Sequence, residues 1–169
     1  MSRARRIALI GLSFLILGAL SAAGTLSAET VLVAVRETVD GAPSDPPLPA
    51  VDGVSSGLFA AGHIVFDAGS RGSSGIGDLV EVAREGGAGW LLDVSVAYKQ
   101  TKLDQGAVRV AGSASFSLVN ALTGVTSLSD RVAGSNAGRE KKIDLTALGV
   151  ELGRLISQRV TRALPTPSL

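Results

Sequence analysis

The chain has 169 residues, 46% of them hydrophobic and 18% charged, with a formal net charge of +1 at pH 7. That length suits one domain, and the near balance of charge excludes the global field that gathers nucleic acid. With no cysteine and a single histidine, disulfide frameworks, thiolate zinc sites and histidine-cluster metal sites are excluded too.

Residues Met1 to Arg6 are basic, Ile7 to Leu20 carry no charge, and Ser21 to Ala28 are mostly small. This is the order of a secretory signal peptide. Cleavage is expected after Ala28, directly before the first strand, or after Ala23. Retention as an anchor is the alternative, but a spanning helix needs about 20 apolar residues and Ile7 to Ala23 falls short of that. Residues 1–28 are thus expected to be a signal and 29–169 a single exported domain, periplasmic or secreted. It would touch the membrane only through an uncleaved signal. Arg3, Arg5 and Arg6 precede Ala28 while every acidic residue follows it, so 13 basic residues remain against 15 acidic ones, a net charge of −2. The missing cysteine also removes the acceptor for an N-terminal lipid, so no lipoprotein anchor is expected.

Glu29 to Asp40 is β-branched and alternating, and reads as a strand. Gly41 to Pro49 holds four of the six prolines and predicts a stiff, irregular loop. Val51, Val54, Leu58 and Ala61 recur at helical spacing, with Gly62 at a C-cap position. His63 to Asp67 is a short strand, and Gly69 to Gly75 a glycine-serine loop. Ile76, Val80 and Ala83 predict a helical core face, with Asp78, Glu81 and Glu85 pointing away and Gly86-Gly87 ending the helix. Trp90, Leu92, Val94, Val96 and Tyr98 alternate with Leu91, Asp93, Ser95, Ala97 and Lys99, as in a strand half buried on one side. Gln100 to Gly106 reads as a polar connection. Val108, Val110, Ala114, Phe116 and Leu118 then alternate with Arg109, Ser113, Ser115 and Ser117, giving a wet serine face. Thr123-Gly124 makes a turn, Val125 to Ala133 a weaker strand and Gly134 to Lys142 a hydrophilic loop. Asp144 is a good N-cap for a last helix with a core face of Leu145, Leu148, Leu152, Leu155, Ile156 and Ala163, ended by Pro165.

The order β-α-β-α-β-β-β-α predicts a single α/β (α+β) domain, a mixed sheet of about five strands with helices packed on it. The serine face argues against a parallel sheet covered on both sides.

Chemistry-bearing residues are few. His63 and Asp67 stand four apart, a spacing that places two strand residues on one face. A hydrolase would need a nucleophile such as Ser70, Ser73 or Ser74 from the next loop, but no nucleophile elbow is present. The Gly69–Gly75 loop, with Arg71 in it, lacks the phosphate-loop ending and the dinucleotide glycine spacing, so it reads as a connector. Asp40, Asp45 and Asp52 have no calcium-loop spacing and read as turn and cap residues. The run Arg139 to Lys142 is interrupted by Glu140 and reads as a solvated loop, while Trp90 and Tyr98 read as core. His63, Asp67 and Arg71 are therefore candidates without a catalytic set, and no cofactor or metal is implied.

Residues 83–96 (AREGGAGWLLDVSV) resemble the helix, glycine-alanine, aromatic and apolar-strand segment of small bacterial envelope domains. Residues 116–125 (FSLVNALTGV) are similar to their strand, Thr-Gly turn and strand. These are the domains of the curli-secretion lipoprotein, the outer-membrane activators of penicillin-binding proteins and the N-terminal domain of the Tol–Pal translocation protein. The element order fits over roughly Thr30 to Leu164. The chain departs from the lipoproteins among them in having no cysteine to acylate. The resemblance implies a non-enzymatic binding or assembly module with an envelope protein as partner, acting through its long loops and any open sheet edge. The alternatives are a small-ligand carrier with a cleft near Gly69–Gly75 and a secreted hydrolase using His63 with a loop serine. Partner identity and oligomeric state are not legible.

Overall fold

The computed structural model describes residues 28–44, 49–69, 75–103, 108–138 and 145–165, and Glu29–Leu164 forms one compact unit. Strand β1 is Thr30–Val39, β2 Ala42–Pro43, β3 Ile64–Asp67, β4 Trp90–Lys102, β5 Val108–Asn120 and β6 Thr126–Gly138. The helices are α1 Ala50–Ala60, α2 Ile76–Glu85 and α3 Leu145–Ala163. The sheet runs β2-β1-β4-β5-β6, with β3 also on β1. β1 is parallel to β3 and β4, whereas β4, β5 and β6 are antiparallel neighbours. The mixed sheet is the expected one, with six strands because two residues of the proline-rich segment form β2.

Alternation in the long strands divides their side chains between two faces. On one, Val31, Val33, Leu92, Val94, Phe116 and Leu118 are buried beneath α1 and α3, which add Val54, Leu58, Leu152, Ile156 and Val160. On the other, a smaller apolar cluster forms where Leu79 and Ala83 of α2 meet Leu32, Ala34, Leu91, Val119 and Ala121. Burial of these apolar side chains supplies the main driving force, at about 25 cal/mol per Å².

Local signals hold at most boundaries. Gly62, Gly87 and Gly124 all adopt positive φ, the left-handed geometry that turns after helices and between strands require. Helix α1 has Pro49 at its N-cap and no local side-chain cap. Its Ala50 N–H donates instead to Glu37 Oε1 of β1 at 3.3 Å, so a strand carboxylate satisfies one open helix donor.

Four expectations need correcting. β4 runs on through Lys102, into the stretch read as a polar connection. β6 runs through Gly138, well beyond Ala133, because Gly134 pairs with Gly112 and both make room for Leu148 and Leu152 of α3. The α2 core face is Leu79 and Ala83, while Ile76 is 48% exposed. At the end of α3 the chain buries Val160 and Leu164 rather than Ala163.

Candidate functional site

His63 lies just before β3 and is buried, its backbone N–H donating to the Leu58 carbonyl at 3.1 Å. Among the described residues neither ring nitrogen has a hydrogen-bond partner. Asp67 is exposed at the far end of β3 and accepts the Gly69 N–H at 2.9 Å, closing a local turn. The structure therefore does not join His63 and Asp67 into a pair. Arg71, Ser70, Ser73, Ser74 and Asp45 lie outside the described residues, as do Arg139 to Asp144 and the leading segment through Ser27. Asp40 accepts the Gln100 N–H at 3.0 Å, and Asp52 sits in the first turn of α1, so both serve turns and helix ends. Among the described residues no three acidic or histidine side chains gather as a metal site.

One buried polar group does connect the layers. Tyr98 Oη donates to Glu37 Oε1 at 2.9 Å, the same oxygen that caps α1. Burial, followed by the neighbouring Glu37 charge and hydrogen bond, pushes the Tyr98 phenol well above its ordinary range. A hydroxyl locked in its protonated form this way fastens strand to helix and offers no proton for chemistry at neutral pH. At the other end of β4, Trp90 Nε1 donates to Glu29 at 3.1 Å.

The exposed features are the serine face and one sheet edge. Across four strands, Arg36, Ser95, Ser115 and Arg131 fall in one lateral row. Arg36 Nη2 lies 2.7 Å from Asp93 Oδ1 and donates to Oδ2 at 2.8 Å, which holds the guanidinium in place. This row borders a shallow cleft of about 440 Å³, and a second of about 700 Å³ adjoins it through Ala97 and Ser113. Both are open troughs on the sheet. They lie among β1, β4, β5 and β6; residues 70–74 of the expected cleft lie outside the described residues.

The two edges of the sheet differ. One is built from β3, four residues long, and β2, two residues long. The other is β6, whose 13 residues pair, among the described strands, with β5 alone. Because Asp40 N–H donates to the Tyr98 carbonyl, even-numbered groups of β4 face β1, and the alternation carries through the registers of β5 and β6. The backbone groups of Ser129, Arg131, Ala133 and Ser135 consequently point away from the sheet. Among the described residues only the Arg131 N–H is answered, by Asp130 Oδ1 at 2.7 Å. Sequence reading ends this strand at Ala133, short of Gly138, because the small polar residues after it look like a loop.

Comparison with solved structures gives the same architecture. The PelC dodecamer from Paraburkholderia phytofirmans aligns at TM-score 0.51 and 19% identity, over 79% of this chain and 89% of that one. The hypothetical protein CT253 from Chlamydia trachomatis aligns at TM-score 0.56 and 14% identity, over 80% and 96%. Lipoprotein GNA1162 from Neisseria meningitidis aligns at 0.48 and 19%, over 80% and 96%. The fold is shared with PelC and CT253, in keeping with the fold that the resemblance carried by residues 83–96 and 116–125 implies. No family model matches the sequence, and no curated protein matches it significantly. At these identities the likeness is one of fold, and it transfers no site residue.

Proposed function

We propose that this chain is an exported, non-enzymatic module of the bacterial envelope that binds a protein partner by strand addition at β6. The observation carrying this reading is the long β6 edge, whose outward backbone groups stand ready to pair. The opposite edge is blunted by short strands, so pairing has one direction open to it. The shared fold of envelope domains supports the setting, and the basic, apolar and small-residue order of Met1 to Ala28 supports export with cleavage after Ala28 or Ala23. No cysteine is present to carry a lipid. The environments of His63 and Asp67 favour structural roles for both.

Ser129→Pro removes an outward N–H and leaves the β5–β6 ladder intact. The test is chemical crosslinking in intact envelopes followed by recovery of the tagged protein, with and without this substitution. The reading expects a discrete wild-type adduct that Ser129→Pro loses while keeping its thermal transition. Identical adducts from both proteins would contradict edge pairing. A hydrolytic turnover abolished by His63→Ala would contradict the non-enzymatic assignment.

A further inference from the structure

Face coverage is unequal. Among the described elements two helices cover the main core face, but only α2 covers the serine face. Ten residues of helix span about 15 Å, against about 43 Å for strands of 13 residues. α2 packs at the end holding Leu32, Leu91 and Val119, so the half around Ser95 and Ser113 has no helix on it among the described elements.

Charge divides along the same line. Among the described residues the uncovered half carries the side chains of Arg36, Lys99, Arg109 and Arg131 against two acids, Asp93 and Asp40 at its rim, although the chain from Glu29 onward is net negative. The guanidinium of Arg131 has no side-chain partner among the described residues. Meanwhile α2 turns Asp78, Glu81 and Glu85 to solvent, at spacings of three and four that place them along one helical stripe opposite Leu79 and Ala83. One molecule therefore displays both a basic half-face and an acidic helix of the size to cover it. Arg36 and Arg131 are three strands apart, about 14 Å, and a helix about 10–12 Å across fits between them over the small side chains of Ser95 and Ser115.

We infer that the uncovered half of the serine face docks α2 of a second copy of this chain. A two-fold axis lying between the sheets and running across the strands reverses strand direction, which brings each α2 over the other copy's empty half. Both copies then make the same contact, as a two-fold interface requires. Asp78, Glu81 and Glu85 of one copy lie over Arg36, Lys99 and Arg131 of the other. The α2 helices form a shared middle layer with an apolar side on their own sheet and an acidic side on the neighbour's. Such a contact is predominantly electrostatic, so it weakens with salt as the screening length falls from about 10 Å at 0.1 M to about 3 Å at 1 M. The β6 edge stays free in this arrangement, so the inference stands apart from the proposed function.

Sedimentation equilibrium of the full chain, expressed with its own leader, tests it. The expected result is a monomer–dimer equilibrium at low salt that shifts at least tenfold toward monomer at 1 M salt. Glu81→Lys with Glu85→Lys should give monomer, as should Lys99→Glu with Arg131→Glu, each with an unchanged far-ultraviolet dichroism spectrum. Mixing the two charge-reversed proteins in equal amounts should restore a dimer, because in the mixed pair the basic α2 of one protein meets the acidic face of the other and the unchanged acidic α2 meets the unchanged basic face. Combining all four substitutions in one chain should restore the dimer, because both contacts again oppose opposite charges. Wild-type monomer at every concentration and salt would overturn the inference. So would an assembly that either reversal leaves intact, or a mixture or four-fold variant that stays monomeric.

Discussion

Gly153 of α3 sits so close to α1 that a Cβ there would stand 2.7 Å from the Val54 backbone nitrogen, with the Ala50 carbonyl oxygen nearer still. Gly53 faces the Val150 carbonyl in the same way, and Gly57 faces Ser157. The two helices cross backbone to backbone, and α1 can lie beside α3 over one sheet face only because these positions lack side chains.

Gly153→Ala should therefore destabilise the fold, although alanine is the better helix former. Overpacking against backbone costs about 1–3 kcal/mol or more. Urea unfolding followed by the fluorescence of the single tryptophan, Trp90, should show a lower midpoint. An unchanged or raised midpoint would mean that the helices have room to part.

Tyr98→Phe removes the Tyr98 donor to the partly buried Glu37 carboxylate. A hydrogen bond to a charged group contributes about 1.5–3 kcal/mol, and the variant should lose about that much. Because the folded phenol titrates above the ordinary value of about 10, the native state holds its proton where the unfolded state has released it. The associated stability is complete below about pH 10 and is lost as pH rises beyond it. Tyr98 is the single tyrosine, so ultraviolet titration reads it directly. No phenolate signal should develop at about pH 10 until the protein unfolds.

The Asp130 carboxyl lies below its ordinary range, held there first by the Arg131 N–H and then by Arg159. Carbon-detected titration should find it ionised where free carboxyls are half protonated. Arg159→Ala should recover only part of the shift, because the backbone donor remains. A complete return to the ordinary value would reassign the cause to Arg159.

His63→Leu should leave stability unchanged or raise it by about 1 kcal/mol, because removing buried unpaired polar atoms lifts a desolvation cost. Thermal unfolding at neutral pH measures this. A loss of several degrees would show that the imidazole has a partner.

The sheet was readable because Trp90 to Tyr98 and Val110 to Leu118 alternate cleanly, and the serines between them marked the wet side. The end of β6 was not, because Gly134 and Ser135 carry no hydrophobic signal. They are strand because Gly112 lies opposite and α3 presses on both, a tertiary cause with no local trace. The helix crossing left a faint one, Gly53 with Gly57 and Gly149 with Gly153, each pair four residues apart. The α2 core face was misplaced because Ile76, in the first turn, shares its stripe with Leu79 and Ala83, yet the sheet beneath the helix reaches only the latter two. His63 and Asp67 kept the sequence separation of a same-face pair, but His63 precedes the strand, so the period of two does not reach it.

Residue-by-residue amide exchange along β6, measured in the protein alone and again in its crosslinked envelope complex, tests the edge assignment most directly. The Ser129, Ala133 and Ser135 amides should exchange fast in the free protein and slow sharply in the complex, while Asp130 and Val132 stay slow in both. Odd and even positions protected alike in the free protein, or odd positions still fast in the complex, would contradict it.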